Sequence, residues 1–116
     1  MNALIILNDP PYGTERSFNG LRLAQQLVRH EDATLRVFLM ADAVSCAKRA
    51  QSTPNGYYNL ERMLHGIVQK GATVGACGTC LDARGLTADE LVDGVHRSDM
   101  NELGTWTVEA DQVIVF

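Results

Sequence analysis

The 116-residue sequence contains no apolar stretch near the ~20 residues that a membrane span requires. It also lacks a basic excess: 10 Lys and Arg stand against 14 Asp and Glu, for a net charge of −4 and a pI near 5.2. Phosphate contacts supply most nucleic-acid affinity, so this balance argues against a general nucleic-acid binder. The opening Met1-Asn2-Ala3-Leu4-Ile5-Ile6-Leu7 has no basic segment before its apolar residues and does not read as a secretory signal. Cysteine is sparse and odd in number, at Cys46, Cys77 and Cys80. No disulfide framework is expected from such a set, and a reducing cytoplasm suits it. Glycine-rich phosphate-binding signatures of the G-x-x-x-x-G-K and G-x-G-x-x-G types are missing.

The apolar residues suffice for a core. They make up 46 % of the chain against 21 % charged, with a mean hydropathy of −0.08, which places the sequence among globular domains and not disordered chains. The length fits one domain spanning residues 1–116. Ala3 to Asn8 is a short continuous apolar run stopped by Asp9-Pro10-Pro11-Tyr12-Gly13, as expected of a strand buried on both faces. Thr14 to His30 carries Phe18, Leu21, Ala24, Leu27 and Val28 at helical spacing. Leu35 to Met40 predicts a second strand, and Asp42 is placed to cap a short helix running to Ala50. After a loop at residues 51–56, Leu60, Met63, Leu64, Ile67 and Val68 give the clearest helical pattern, ended by Lys70 and Gly71. Thr73 to Ala76 predicts a third strand, and Cys77-Gly78-Thr79-Cys80 turns into a helix that Gly85 can end. Thr87-Ala88-Asp89-Glu90 matches a capping box before a short helix. Val95 fits a short strand, Asp99 with Glu102 a cap for a last helix containing Leu103, Trp106 and Ala110, and residues 112–116 a terminal strand. Strands alternating with helices predict an α/β domain with a mainly parallel sheet covered on both faces. In such sheets ligands sit beyond the carboxyl ends of the strands, where the loops at 9–17, 41–42 and 77–80 can meet.

Cys77-Gly78-Thr79-Cys80 is the strongest chemical signal. A cysteine between a strand end and a helix start meets backbone N–H groups that favour its thiolate. On this reading Cys77 sits at the exposed mouth of the turn, and Cys80, one turn on, is the more buried. Small core residues would be the plain alternative, since free cysteine is often buried. A C-x-x-C pair after a strand points instead to chemistry. A thioredoxin-like site would set a cis-proline later in the chain, but Pro10, Pro11 and Pro54 all precede Cys77. A zinc site needs about four ligands; the C-x-x-C supplies two, and Cys46, His30, His65 and His96 are scattered. No metal or other cofactor is therefore expected. Tyr12 and Glu15 lie where they can face Cys77, although Tyr12 can equally cover a turn. Asp42 reads first as a cap, and Arg84 either steadies a thiolate or lies on a helix surface. Trp106 reads as core, and Tyr57 and Tyr58 as possible anchors of a subunit interface.

Six segments together carry a resemblance that runs nearly end to end. They are Pro11-Tyr12-Gly13-Thr14-Glu15, Leu21-Arg22-Leu23-Ala24, Phe38-Leu39-Met40-Ala41-Asp42-Ala43-Val44, Gly56-Tyr57-Tyr58-Asn59, Cys77 through Gly85, and Asp111 through Phe116. The sequence resembles the DsrE/DsrF/TusD-like sulfur-relay family and, within it, the small YchN-type branch; the block from Cys77 to Arg84-Gly85 is the most specific. The resemblance implies a three-layer α/β/α sandwich with a five-stranded sheet, hexameric assembly, and a cysteine carrying sulfane sulfur as a persulfide. By its spacing to Gly85 that cysteine is Cys77. Cys80 departs from single-cysteine carriers, because a second thiol can attack a Cys77 persulfide. The expected function is acceptance and transfer of sulfane sulfur between donor and acceptor proteins or thiols, by a cytoplasmic homohexamer bound to neither nucleic acid nor membrane. Cys77 and Cys80 are the expected catalytic residues, with Tyr12, Glu15, Asp42 and Arg84 lining the site. The alternatives are a dithiol redox protein using the pair and a non-enzymatic oligomeric scaffold.

Overall fold

The first apolar run forms β1 (Asn2–Leu7), in which Ala3, Leu4, Ile5 and Leu7 are buried. The computed structural model describes residues 1–116 and sets β1 in a five-stranded sheet with β2 (Thr34–Leu39), β3 (Thr73–Cys77), β4 (Val95–Ser98) and β5 (Gln112–Val115). Their order is β4-β3-β2-β1-β5, and every neighbouring pair is parallel. The centre of the sheet is apolar on both faces, as covered parallel sheets require. One cluster of 26 buried residues forms the core, with Leu4, Ile5, Val37, Phe38 and Leu39 wholly buried within it.

The order of strands decides where the helices go. From β1 to β4 the chain steps in one direction, so right-handed crossovers put α1 (Arg16–Leu27), α2 (Leu60–Gln69) and α3 (Gly78–Ala83) on one face. It then returns across the sheet to β5, and α4 (Met100–Glu109) falls on the other face. The result is a three-layer α/β/α sandwich. α1 buries Ser17, Gly20, Leu21 and Ala24, a stripe at helical spacing, and packs on α2 and β1. α2 buries Leu60, Leu64 and Ile67 and is capped by Asn59, whose Oδ1 accepts the Arg62 N–H at 3.1 Å. α4 is capped as expected, Asp99 accepting from the Glu102 N–H at 2.9 Å. Trp106 of α4 is only 6 % exposed; its ring meets Phe38 edge-on at 6.3 Å, and the Arg36 guanidinium lies 5.5 Å over it.

Several boundaries and caps differ from the sequence expectation. The first helix is shorter than Thr14 to His30. The short strand marked in the sequence by Val95 alone runs from Val95 to Ser98 as β4, held by pairing of Val74 with Val95 through Cys77 with Ser98. Asp42 is not a cap: residues Ala41–Ala47 form a 3-10 helix preceded by Met40, with no side-chain cap bond. Its carboxylate instead takes the Arg84 guanidinium, at 3.0 Å from Nε and 2.7 Å from Nη2. The capping box at Thr87 does not form either. Ala88–Glu90 is a single 3-10 turn, and the Thr87 hydroxyl donates to the Asp89 and Glu90 carboxylates. The helix is cut short because Leu91 bridges to Lys48 and the Val92 N–H bonds to the Ala47 carbonyl at 2.8 Å, which pulls the chain into extended form.

Candidate functional site

All five strands end on one edge, with Leu7, Leu39, Cys77 and Ser98 as the last residues of β1 to β4. The segments leaving that edge touch in the order of the strands. The loop after β1 meets the 3-10 helix after β2, where the Cys46 Sγ lies 3.7 Å from the Asp9 carbonyl. That 3-10 helix in turn meets α3 through Ala41, Asp42, Cys80 and Arg84.

Cys77 is both the end of β3 and the residue capping α3. At this position a side chain faces the free N–H groups two and three residues on. Its Sγ lies 3.3 Å from the Thr79 hydroxyl. Burial pushes its pKa up, but hydrogen bonds from the Thr79 hydroxyl, the Cys80 thiol and the N–H groups of Cys80 and Thr79 outweigh burial and hold the thiol below its ordinary value. Cys80 moves the opposite way. Burial, its hydrogen bond to Cys77 and the Cys77 charge raise it, against the Ala41 N–H and Arg84. The two shifts are opposed, so the thiolate is favoured on Cys77 over Cys80. Cys46 is inert, since burial pushes its thiol up to about 12.

The exposure of the pair reverses the sequence expectation. Cys77 is 3 % exposed, whereas Cys80 is half-buried. The reason is β4: its Ser98 lies directly beside Cys77 in the sheet, and its Arg97 folds over the first turn of α3. A Cβ on Gly78 would lie 2.8 Å from the Arg97 guanidinium, so only glycine allows that approach. Arg97 is anchored to Asp82 by two hydrogen bonds of 2.8 and 2.9 Å. Cys77, Gly78, Thr79, Arg97, Asp99 and Met100 line a cleft of about 410 Å³. A second cleft of about 380 Å³, beside Arg49, Arg62 and His65, is lined by no cysteine.

The six residues singled out in the sequence divide into two groups. Cys77, Cys80, Asp42 and Arg84 come together. The Cys80 Sγ accepts the Ala41 N–H at 3.2 Å, and Arg84 donates to both Asp42 and the Cys80 carbonyl, the latter at 3.0 Å. Ala41 holds this position at φ +51°, a left-handed conformation unusual for a residue with a side chain. Tyr12 and Glu15 do not hydrogen-bond to the cysteine turn. The Tyr12 hydroxyl donates to the Tyr58 carbonyl and accepts the Leu60 N–H, both at 3.3 Å, while its ring stacks on Tyr58. Glu15 is exposed at the start of α1 and makes no cap bond. Thr79, Arg97, Ser98 and Asp99 are the residues that sequence reasoning missed. Thr79 was legible inside the motif; the other three depend on β4 pairing with β3. No group of three or more His, Cys, Asp or Glu side chains is arranged to hold a metal, and no helix is long and apolar enough to cross a membrane.

Behind Ser98 lies a carboxylate, Glu102, which accepts the Ser98 hydroxyl at 2.5 Å and pairs with His96. Burial raises its pKa, yet the hydrogen bonds from Ser98 and His96 and the His96 charge together hold it below the usual glutamate range. A depressed folded pKa stabilises the fold above the unfolded-state value, and that contribution is lost as pH falls through the folded value. The expected result is that the thermal midpoint of Glu102→Gln falls less steeply with acidification below the ordinary glutamate pKa than that of wild type. Parallel pH profiles of the two midpoints would remove Glu102 from this role.

Comparison with known proteins agrees with this fold. A family model described as the DsrE/DsrF-like family matches residues 1–116. Protein YchN of Escherichia coli K12 is 42 % identical over 114 residues, covering 97 % of both chains. An uncharacterized protein of Methanocaldococcus jannaschii is 33 % identical over the full length of both. The crystal structure of the E. coli ychN protein superposes with a TM-score of 0.93 at 41 % identity, covering 99 % of this chain and 98 % of that one. A protein of unknown function from Methanobacterium thermoautotrophicum, at 19 % identity and a TM-score of 0.71, shares the fold. With its whole length matched and its five-stranded parallel sheet in common with ychN, the chain belongs to the DsrE/DsrF-like family.

Proposed function

We propose that the protein accepts sulfane sulfur on Cys77 as a persulfide and passes it to an acceptor thiol. One observation carries this reading: a recessed cysteine whose hydrogen bonds favour the thiolate opens onto a cleft at the carboxyl edge of the sheet. The family is related to sulfur relay, which agrees with such a role. In the forward step the Cys77 thiolate attacks the outer sulfur of a donor persulfide, and the donor thiolate leaves. The Thr79 hydroxyl and the Thr79 and Cys80 N–H groups, which stabilise the Cys77 thiolate at rest, stabilise it again when it leaves in the second step. Recession limits stray reduction of the persulfide. In the second step an acceptor thiolate attacks the terminal sulfur and Cys77 is restored. Free cysteines throughout the chain suit a reducing compartment such as the cytoplasm. Intact-mass measurement after exposure to a persulfide donor tests the proposal. One added sulfur mapped to Cys77 supports it, and no added sulfur refutes it.

A second reading, a reversible Cys77–Cys80 disulfide, is favoured by the mutual influence of the two thiols, whose pKa values are moved in opposite directions. Its separation from the first is taken up below.

The working form that we propose is a homohexamer. β5 is an edge strand with Val113 and Val115 42 % and 60 % exposed, and Val108 of α4 is 87 % exposed. Unpaired edges with apolar side chains are normally covered. Light scattering at micromolar concentration is expected to give several times the 12.7 kDa chain mass, and a monomer mass would overturn the assembly.

A further inference from the structure

We propose that the cleft beside Cys77 is a binding site for a small zwitterionic persulfide, of the class of cysteine persulfide, and that Arg97 and Asp99 select it. The inference rests on Cys77 being the sulfur-accepting atom and names the donor that this atom receives. Size comes first. At 3 % exposure Cys77 cannot be approached across a flat surface, so a donor must bring its outer sulfur into the cleft. The volume, about 410 Å³, admits a whole amino-acid-sized molecule.

Charge comes second. Apart from Cys77 itself, two of the side chains lining the cleft are charged, and they are of opposite sign, Arg97 and Asp99. Each keeps unused capacity. Asp82 takes one hydrogen bond from Nη1 and one from Nη2 of Arg97, so its Nε–H and the second proton on each Nη are free to meet a carboxylate. Asp99 uses Oδ1 to cap α4, and its Oδ2 has no intramolecular partner and can meet an ammonium group. Gly78 keeps the guanidinium close over the turn, since any side chain there would displace it. A donor with one carboxylate and one ammonium matches this pair. Thiosulfate, a dianion with no cationic group, would satisfy Arg97 but oppose Asp99.

The transfer balances without a further reactant. Cys77–S⁻ attacks the outer sulfur of R–S–SH, and a Cys77–S–SH bond forms as the R–S bond to that sulfur breaks. The proton stays on the outer sulfur, the electron pair leaves on R–S⁻, and sulfane sulfur keeps its oxidation state.

The test uses the full chain carrying Cys80→Ser, so that no second thiol consumes the product. Sulfur gain at Cys77 is followed by mass with cysteine persulfide, with N-acetylcysteine persulfide, which lacks the ammonium, and with thiosulfate. Each rate is divided by the rate of the same probe with a free small thiol. Cysteine persulfide should load about three- to five-fold faster than the N-acetyl compound, the range of a solvent-screened ion pair, and thiosulfate should load slowest. Asp99→Asn retains a cap acceptor and removes the charge, so it should erase the preference for the ammonium. Arg97→Gln should slow both organic persulfides alike. Equal normalised rates for the two persulfides, or a preference that survives Asp99→Asn in a variant with an unchanged thermal midpoint, would overturn the cleft assignment and leave Cys77 loading intact. Failure of every probe to add sulfur at Cys77 would overturn the carrier function itself.

Discussion

At pH 7.5 a small neutral alkylating reagent such as iodoacetamide will label Cys77 before Cys80 and far before Cys46. The thiolate is the reacting species, so the fraction ionised sets the scale. Cys46 sits near 12, and Cys77 lies below its ordinary 9.0. That difference alone gives Cys77 a roughly thousand-fold larger thiolate fraction. A less basic thiolate is a weaker nucleophile, which returns a factor of about twenty at a Brønsted slope near 0.45. The net expectation is that Cys77 reacts roughly fifty-fold faster than Cys46 or more, before the complete burial of Cys46 is counted. Cys80 tests the assignment more sharply, because it is the more exposed of the pair. If exposure governed, Cys80 would react first. If the hydrogen bonds govern, Cys77 does, since they lower Cys77 while Cys80 is raised. Peptide mapping of partial labelling decides, and preferential modification of Cys80 or Cys46 would mean that Cys77 is not the activated thiol.

The second large effect separates sulfur carriage from dithiol chemistry. Exposed to a persulfide donor, wild type is expected to gain one or more sulfur atoms at Cys77, and Cys77→Ser to gain none. Cys80→Ser should gain at least as much as wild type. Cys80, three residues on from Cys77 in α3, is the protein thiol placed to attack its persulfide. That attack reads Cys77–S–SH + Cys80–S⁻ → Cys77–S–S–Cys80 + HS⁻, with the sulfane sulfur reduced and the two thiols oxidised. The resting structure restrains it, because the Cys80 thiol is held above its ordinary pKa and its Sγ already accepts the Ala41 N–H at 3.2 Å. If the disulfide reading holds instead, wild type will lose two hydrogens with little persulfide trapped. Absence of persulfide even in Cys80→Ser would end the carrier reading.

The block from Cys77 to Gly85 was legible in the sequence because the features that favour a thiolate there are local. A strand end, a capping position and two N–H groups all fall within four residues, so spacing alone implied the geometry. The apolar run of β1 and the stripe of α2 were legible for the same reason, since periodicity is a property of neighbouring residues. Local signals failed where a distant residue competed. Asp42 has the chemistry of a cap, but Arg84, 42 positions away, takes its carboxylate in the folded chain. Thr87 has the spacing of a capping box, but bonding of Leu91 and Val92 to residues 47–48 stops the helix that it would cap. Tyr12 sits in a loop on the functional edge, yet its hydroxyl is spent on fixing the start of α2.

What the sequence determined by itself was the class of fold, the C-x-x-C turn at Cys77 as the candidate site, and the family, since alternation, capping and motif spacing are all encoded between near neighbours. Tertiary structure alone decided how that cysteine is presented. The parallel pairing of β4 with β3 lays Ser98 beside Cys77 and brings Arg97 over Gly78, which buries the thiol expected to be exposed and builds the cleft in front of it. Strand pairing joins residues about twenty positions apart through backbone hydrogen bonds that any side chain can make, so no local pattern in the sequence records it.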